Sequence, residues 1–332
     1  MANLTIKDIA RMAGVSTTAV SFVLHNRSGV SEATREKVQQ IIQQTGFTPN
    51  VHTRRLNLGK RFTIHVVLRQ YDYSLFNQFA METLSGIFRE GKALGYSFIF
   101  TLVDDQMDCE QIIESVRSKD CDGVILNQVS DPTLIRRLQA EQIPFVCADT
   151  HLPRDTSLPM VEVDHYGAAY QAAQYLHQHG HTRIGLIGPE YHTGTLAGFS
   201  DYLKEAGLIY DPNWICKVPF SQRSEEAAID QLLSNDRLPT AIVCVGDAFA
   251  IDVMSGIKAR GLKIPEDISV MGTDDLLISR YLEPPLTTMT FDKEELGAKA
   301  MQLLYKIIQG MDYQAANIIP TTPVERRSVK TL

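Results

Sequence analysis

Several large classes of protein are excluded by what this 332-residue sequence does not contain. No apolar run approaches the ~18 residues needed to cross a bilayer. The opening residues Met-Ala-Asn-Leu-Thr-Ile-Lys-Asp have no apolar export core, so a cytoplasmic protein without membrane contact is expected. The five cysteines (Cys109, Cys121, Cys147, Cys216 and Cys244) are odd in number and scattered, which fits reduced thiols rather than a disulfide framework. There is no Gly-x-Gly-x-x-Gly, Gly-x-Ser-x-Gly or His-Glu-x-x-His, and no nucleophile stands beside a base. Gly86-Ile-Phe-Arg-Glu-Gly91-Lys92 imitates a phosphate loop, but Ala93 follows where a magnesium-binding hydroxyl is needed. His177-Gln-His179-Gly-His181 reads as a helix carboxyl terminus, where imidazoles favour the dipole, rather than as a metal site. A non-enzyme with no cofactor and no metal is expected.

What is present is an uneven distribution of charge. The whole chain carries −7, yet residues 1–61 hold nine Lys or Arg against three acids and so carry +6. A basic head on an acidic body is the electrostatic footprint of a nucleic-acid-binding domain tethered to something else. The length also exceeds the roughly 250–300 residues at which a single core stops growing, so more than one compact unit is expected.

The head has the pattern of a helix-turn-helix. Thr5 and Asp8 form a capping box, and Ile6, Ile9, Ala10 and Ala13 follow at helical spacing. Gly14 permits a sharp exit, and Ser16 can cap a second helix. That helix turns Ala19, Val20, Val23 and Leu24 inward and Thr18, Ser21, Phe22 and His25 outward. Ser31 caps a third, with Ala33, Val38, Ile41 and Ile42 inward. Thr17 and Thr18 stand near the amino end of the second helix, where base contacts arise. Phe22 has two readings: it packs within the headpiece, or it meets a thymine methyl in the major groove.

From residue 62 onward, short apolar runs (Phe62–Leu68, Tyr96–Leu102, Gly123–Leu126, Phe145–Ala148, Met160–Val163, Ile184–Ile187, Ala241–Val245, Ile268–Met271) alternate with helical stretches such as Phe79–Leu94, Ala168–His179 and Ser224–Leu233. This alternation predicts parallel sheets covered on both faces, and its extent predicts two α/β subdomains. A ligand of such a core sits outside the carboxyl ends of the strands. Arg69, Asn127, Asp149, Asp247 and Asp274 stand at such ends, and Phe220 follows the stretch 214–218. Carboxylates and amides pair with vicinal hydroxyls, the chemistry of sugars and nucleosides. Each carboxylate is equally read as a satisfied strand-end cap. Arg69 either pairs with Asp149 or Asp104, or receives an anionic ligand group.

Thr5-Ile-Lys-Asp-Ile-Ala-Arg-Met-Ala-Gly-Val-Ser16, Val20-Ser21, Val30-Ser31, Thr34-Arg35 and Phe47-Thr-Pro-Asn50 together resemble the headpiece of the lactose/galactose repressor (LacI/GalR) family. The core is similar to that family at Asp164-x-x-Gly167-Ala168, Gly180-His-x-x-Ile184-Gly-Leu-Ile-Gly188, Leu196-Ala-Gly-Phe199, Ile268-Ser-Val-Met-Gly272, Pro284-Pro-Leu-Thr-Thr288 and Leu296-Gly297. The resemblance implies an all-α headpiece over 1–48, a hinge helix and linker over 49–61, and a periplasmic-binding-protein-like core. The core's first subdomain is expected over 62–161 plus 291–321 and its second over 162–290 plus 322–332.

The resemblance further implies a sequence-specific repressor that binds double-stranded operator DNA as a homodimer under the control of a small-molecule effector, a sugar or sugar derivative. DNA contacts are then expected from Thr5, Ser16, Thr17, Thr18, Ser21, Phe22, His25, Asn26, Ser31, Thr34, Asn50, Arg54 and Arg55. Leu56 takes the position of a minor-groove wedge. Effector contacts are expected from Arg69, Tyr71, Tyr73, Asn127, Asp149, Thr195, Phe220, Asp247 and Asp274. The chain departs from the family in having Phe22 for Arg, Thr53 for Ala, Thr195 for the effector-binding Arg, and Gly246 for Asn. No leucine heptad follows Pro323-Val-Glu-Arg-Arg-Ser328, so a dimer rather than a tetramer is expected. The rivals are the same regulator under a protein co-repressor and a solute-binding sensor.

Overall fold

The computed structural model describes residues 4–24, 28–45, 47, 60–69, 78–103, 109–118, 121–152, 157–189, 193–218, 225–233 and 237–332. Contacts divide the chain into two compact units, Met1–Phe62 and Thr63–Leu332.

Among its described residues the first unit has three helices: α1 (Ile6–Ala13), α2 (Thr17–Leu24) and α3 (Glu32–Thr45). The capping box forms: Thr5 Oγ1 accepts from the Asp8 amide, and the Asp8 carboxylate accepts from the Thr5 amide at 3.0 Å. Gly14 ends α1 at φ 65°, a left-handed conformation that glycine adopts without a β-carbon clash. Ser16 Oγ accepts from the Ala19 amide, and Ser31 Oγ from the Thr34 amide, so both later helices start on a serine cap. Ile9, Ala10, Ala13, Val20, Val23, Val38 and Phe47 form the buried core. Ala33, expected to face inward, is exposed. It lies off the stripe through Val38, Ile41 and Ile42, and Thr34 and Arg35, one helical turn before Val38, take the half-buried places instead. Residues 49–59 of the expected hinge lie outside the described residues.

The second unit contains two six-stranded sheets. In chain order its elements are β1 (Thr63–Arg69), α4 (Gln78–Ala93), β2 (Ser97–Val103), α5 (Cys109–Arg117), β3 (Gly123–Asn127), α6 (Pro132–Ala140), β4 (Phe145–Ala148) and β5 (Met160–Val163). Then come α7 (His165–Gln178), β6 (Ile184–Pro189), α8 (Thr193–Glu205), β7 (Ile215–Val218), α9 (Glu225–Leu233), β8 (Ala241–Cys244) and α10 (Asp247–Ala259). The last are β9 (Ser269–Thr273), β10 (Thr287–Thr290), α11 (Lys293–Gln309), β11 (Ala316–Ile319) and β12 (Thr322–Val324). The first sheet runs β11-β5-β4-β3-β1-β2 and the second β12-β10-β9-β8-β6-β7. Every pairing is parallel except β10 with β12.

The central strands β1, β3, β4, β5, β6 and β8 are buried almost throughout, as helices on both faces require. Edge strand β2 instead exposes Ile99, Phe100 and Leu102. The chain leaves the first sheet after β5, returns to it through α11 and β11, and ends its pairing on the second sheet with β12. The Gly86–Lys92 segment that imitates a phosphate loop is internal to α4.

Candidate functional site

On the headpiece, Ser16, Thr17 and Thr18 are exposed at the start of α2, while Ser21 is half-buried. Thr5 and Ser31 are exposed but serve as caps, and the Thr34 hydroxyl is 2.8 Å from Ser31 Oγ. Phe22, expected on the outward face, is half-buried. Its ring lies over Gly29, where a β-carbon would come within 3.0 Å of the ring and where φ is 114°. This contact fits the packing reading of Phe22. His25, Asn26, Asn50, Arg54, Arg55 and Leu56 lie outside the described residues.

In the core, the carboxyl ends of the strands from both sheets converge on a cleft lined with buried polar groups. Asp149 follows β4 and is buried. Its Oδ1 lies 2.7 Å from Nε2 of His165, the first residue of α7, and its Oδ2 accepts from Gln128 Nε2 at 3.3 Å. His151 Nε2 is 3.9 Å from the same Oδ2, and the two imidazole rings stand 4.4 Å apart. Glu162 on β5 accepts from the Thr150 amide at 2.9 Å and from Thr150 Oγ1 at 2.7 Å. Asn127 ends β3 with its Oδ1 buried and without a hydrogen-bond partner. Backbone strain concentrates here: Gln128, Asp149, His151, Asp274 and Asp275 all have positive φ. Non-glycine residues hold that conformation at a cost, and such positions cluster at functional sites.

The electrostatics follow from burial and neighbours. Burial alone would raise the Asp149 carboxyl, but the charges of His165 and His151 and the His165 hydrogen bond overturn this and hold it below the usual carboxylate range. Burial would lower His165, and the Asp149 charge raises it instead. His151 is pushed down to about 4 by burial, a shift that Asp149 opposes and the charges of His165 and Arg69 reinforce. Burial and then the Asp149 charge push Glu162 up to about 7. On the second lobe, burial and then the neighbouring Asp247 push Asp274 up to about 8.

Arg69 is half-buried at the end of β1 and enters this cluster as a positive charge facing His151. The hydrogen bonds on Asp149 come from His165 and Gln128, so Asp149 is not the expected carboxylate partner of Arg69. Asp104, Tyr71, Tyr73 and Phe220 lie outside the described residues.

Asp247, expected in the effector pocket, is fully buried and committed to its own lobe. Its carboxylate accepts from Thr288 Oγ1 and Ser279 Oγ, each at 2.5 Å, and from the Leu276 amide at 2.8 Å. Asp274 and Thr195, by contrast, line a cavity of about 20 Å³ together with His165, Phe291 and Thr321. Thr195 Oγ1 and Thr321 Oγ1 are buried there without a partner. A larger groove of about 500 Å³, lined by Lys258, Lys263 and Glu266 among others, lies by the amino end of β9, away from this cluster.

His151, His165, Gln128 and Glu162 were not among the residues singled out from sequence. The one local signal was a histidine two residues beyond a strand-end aspartate. His165 reaches the same point only because the chain crosses to the second sheet immediately before it.

Residues 5–50 match the family described as bacterial regulatory proteins, lacI family, and residues 173–329 match a periplasmic binding protein-like domain. The chain is 30% identical to the HTH-type transcriptional repressor PurR of Histophilus somni (strain 129Pt), over 99% of both chains. It is 33% identical to the HTH-type transcriptional repressor CytR of Escherichia coli (strain K12), over 92% of this chain and 90% of the relative. Among solved structures, the lac repressor dimer bound to operator and the anti-inducer ONPF is similar with a TM-score of 0.80 and 26% identity, over 99% of this chain and 100% of the other. A complex of the transcriptional regulator CelR with cellobiose is similar with a TM-score of 0.76 and 27% identity, over 98% and 99%. With a capped helix-turn-helix ahead of a two-sheet, periplasmic-binding-protein-like core, and with these relatives along its whole length, the chain belongs to the LacI/GalR family of DNA-binding transcriptional repressors.

Proposed function

We infer that this protein represses transcription by binding a pseudo-palindromic operator as a homodimer, and that a small polyhydroxylated or nucleoside-like ligand held between the core lobes sets its DNA affinity. The observation that carries the ligand reading is the pair of buried hydroxyls, Thr195 Oγ1 and Thr321 Oγ1, that face one cavity beside Asp274 and His165 without a partner. Buried polar groups left unpaired cost about 1–3 kcal/mol each, which a ligand that hydrogen-bonds to them recovers. A cavity of about 20 Å³ is too small for a sugar, so a sugar-sized ligand requires more room between the lobes. Relatives of the same fold include one in complex with cellobiose.

The DNA reading rests on the +6 charge of residues 1–61 and the exposed Thr17–Thr18 edge of α2. The dimer reading rests on the apolar residues that the core leaves exposed: Ile99, Phe100 and Leu102 on edge strand β2, and Leu277, Ile278 and Tyr281 after β9. An exposed apolar strand edge is a surface that a partner normally covers.

The test pairs two measurements on the purified chain. Fluorescence anisotropy with DNA from its own upstream region should show binding that weakens steeply with salt. Thermal shifts against neutral sugars, sugar acids, sugar phosphates and nucleosides should then find one class that raises the melting temperature and changes operator affinity. Operator affinity that responds to a partner protein and to none of these compounds would replace the small ligand with a protein co-repressor.

A further inference from the structure

The cleft holds a second constellation, and its donor set is of a different kind from hydroxyl recognition. Asp149, His151 and His165 each offer a ligand atom, and these atoms all lie within 4.8 Å of one another. Among the described residues this is the one group of three or more such side chains that converges in this way. We propose that Asp149, His151 and His165 form a binding site for a divalent first-row transition metal ion of the zinc class, set between the two lobes.

Two imidazoles and one carboxylate suit zinc and its neighbours, and three protein ligands leave one coordination position open. Metal–ligand distances of ~2.0–2.2 Å place neighbouring donors in a tetrahedron roughly 3.3–3.6 Å apart. The carboxylate-to-imidazole separations, 2.7 Å from Oδ1 to His165 and 3.9 Å from Oδ2 to His151, bracket that value, so the donors need to re-space by about an ångström to take up an ion. Asp149 and His151 stand in the positive-φ backbone conformations already described, which fix their approach to the site. Gln128 Nε2 donates to Asp149 Oδ2 and orients the carboxylate from outside, as the supporting groups of metal sites do.

A second observation points to an occupant. His165 shares its cavity with Thr195 and Thr321, whose buried hydroxyls have no partner. A water or ligand oxygen carried at the open metal position would supply one. The site also spans both lobes. Asp149 and His151 follow β4 of the first sheet, whereas His165 begins α7, which packs on β8, β10 and β12 of the second.

The His177–His181 segment does not compete. His177 Nδ1 is engaged with Tyr202 and His179 Nδ1 with the Tyr175 carbonyl. Both ring nitrogens of His181 are taken, by Thr240 and by the Lys330 carbonyl.

The experiment uses the full chain, stripped with EDTA and titrated with cobalt(II) by visible absorption and with zinc(II) by calorimetry. One equivalent per chain should bind, produce the ligand-field bands of nitrogen–oxygen coordination, and raise the melting temperature. His151→Gln and His165→Gln should each weaken binding at least tenfold, with His179→Gln as the unaffected control. Circular dichroism of the stripped variants guards against misfolding, and His151→Gln stands alone if His165→Gln does not fold. Neither absorption nor heat at one equivalent would overturn the site, as would binding left unchanged in both His151→Gln and His165→Gln.

Discussion

Gly297 of α11 lies so close to Thr83 of α4 that a β-carbon on the glycine would sit 1.9 Å from the Thr83 carbonyl oxygen. The relation is reciprocal, because a β-carbon on Gly86 of α4 would sit 2.0 Å from the Glu294 carbonyl oxygen. Both obstacles are backbone, so neither can rotate away. Gly297→Ala should therefore force the two helices apart and cost about 1–3 kcal/mol of stability, the usual penalty of overpacking. Urea unfolding of the variant checks this; a midpoint equal to wild type would mean the helices have slack that the structure does not show.

Asp247 gives a prediction that separates two roles. Asp247→Ala removes the acceptor for two hydroxyls and one amide inside the second lobe. Groups left unsatisfied in this way cost about 1–3 kcal/mol each before they relax. The melting temperature should fall by several degrees, and ligand affinity at low temperature should stay within a few-fold. A variant of normal stability that no longer responds to ligand would return Asp247 to the pocket.

The buried carboxyls set a pH dependence. Asp274, Glu162 and Asp247 titrate at about 8, 7 and 6 in the folded chain, all raised by burial. A carboxyl raised on folding binds its proton more tightly than in the unfolded chain, where carboxyls titrate near ~4. Its stabilising contribution is complete below the unfolded value and is lost as pH rises through the folded one. His165, also raised, acts in the same direction. His151 and Asp149 are lowered, so they remove stability only on the acid side. In chelator-containing buffer these groups should make the melting temperature fall steadily from pH ~5 to pH ~8. Asp274 faces Asp247, Asp149, His165 and Lys293. Asp274→Asn should flatten the decline, and a melting temperature that climbs through pH 8 in wild type would sink this account.

Phe22 and Thr18 should separate in their effects on DNA. Phe22→Ala removes the ring that lies over Gly29, so it should loosen the headpiece and weaken all operators alike. Thr18→Ala removes an exposed side chain near the start of α2, so it should move base preference at one half-site position. Selection from randomised operators measures both, and a changed preference in Phe22→Ala would restore Phe22 as a base reader.

What sequence could show was mostly local. The Thr5–Asp8 box and the Ser16 and Ser31 caps are interactions between residues three apart, and they form as spacing suggests. Strand–helix alternation predicted the two-lobed α/β architecture, because period and length survive without tertiary information. Strands β11 and β12 carried no such signal: they are four and three residues long, and their partners lie far away in the chain. The site was legible in half. Strand-end aspartates could be picked out, but nothing local distinguishes Asp247, whose carboxylate is consumed by Ser279 and Thr288, from Asp274, which faces the cavity. The His151–His165 pair was invisible because its members come from different lobes.

The strand order of the first sheet has a consequence for how the protein is made. Its edge strand β11 pairs with β5, yet it is translated only after every parallel strand of the second sheet. The second sheet in turn waits for β12, three residues further on. At about 5–20 residues per second, a ribosome holds both lobes incomplete for many seconds while the headpiece helices, whose contacts are local, are already outside the exit tunnel. The headpiece helices can thus form before either sheet has its full set of strands, and residues 316–324 supply the strand that each sheet still lacks.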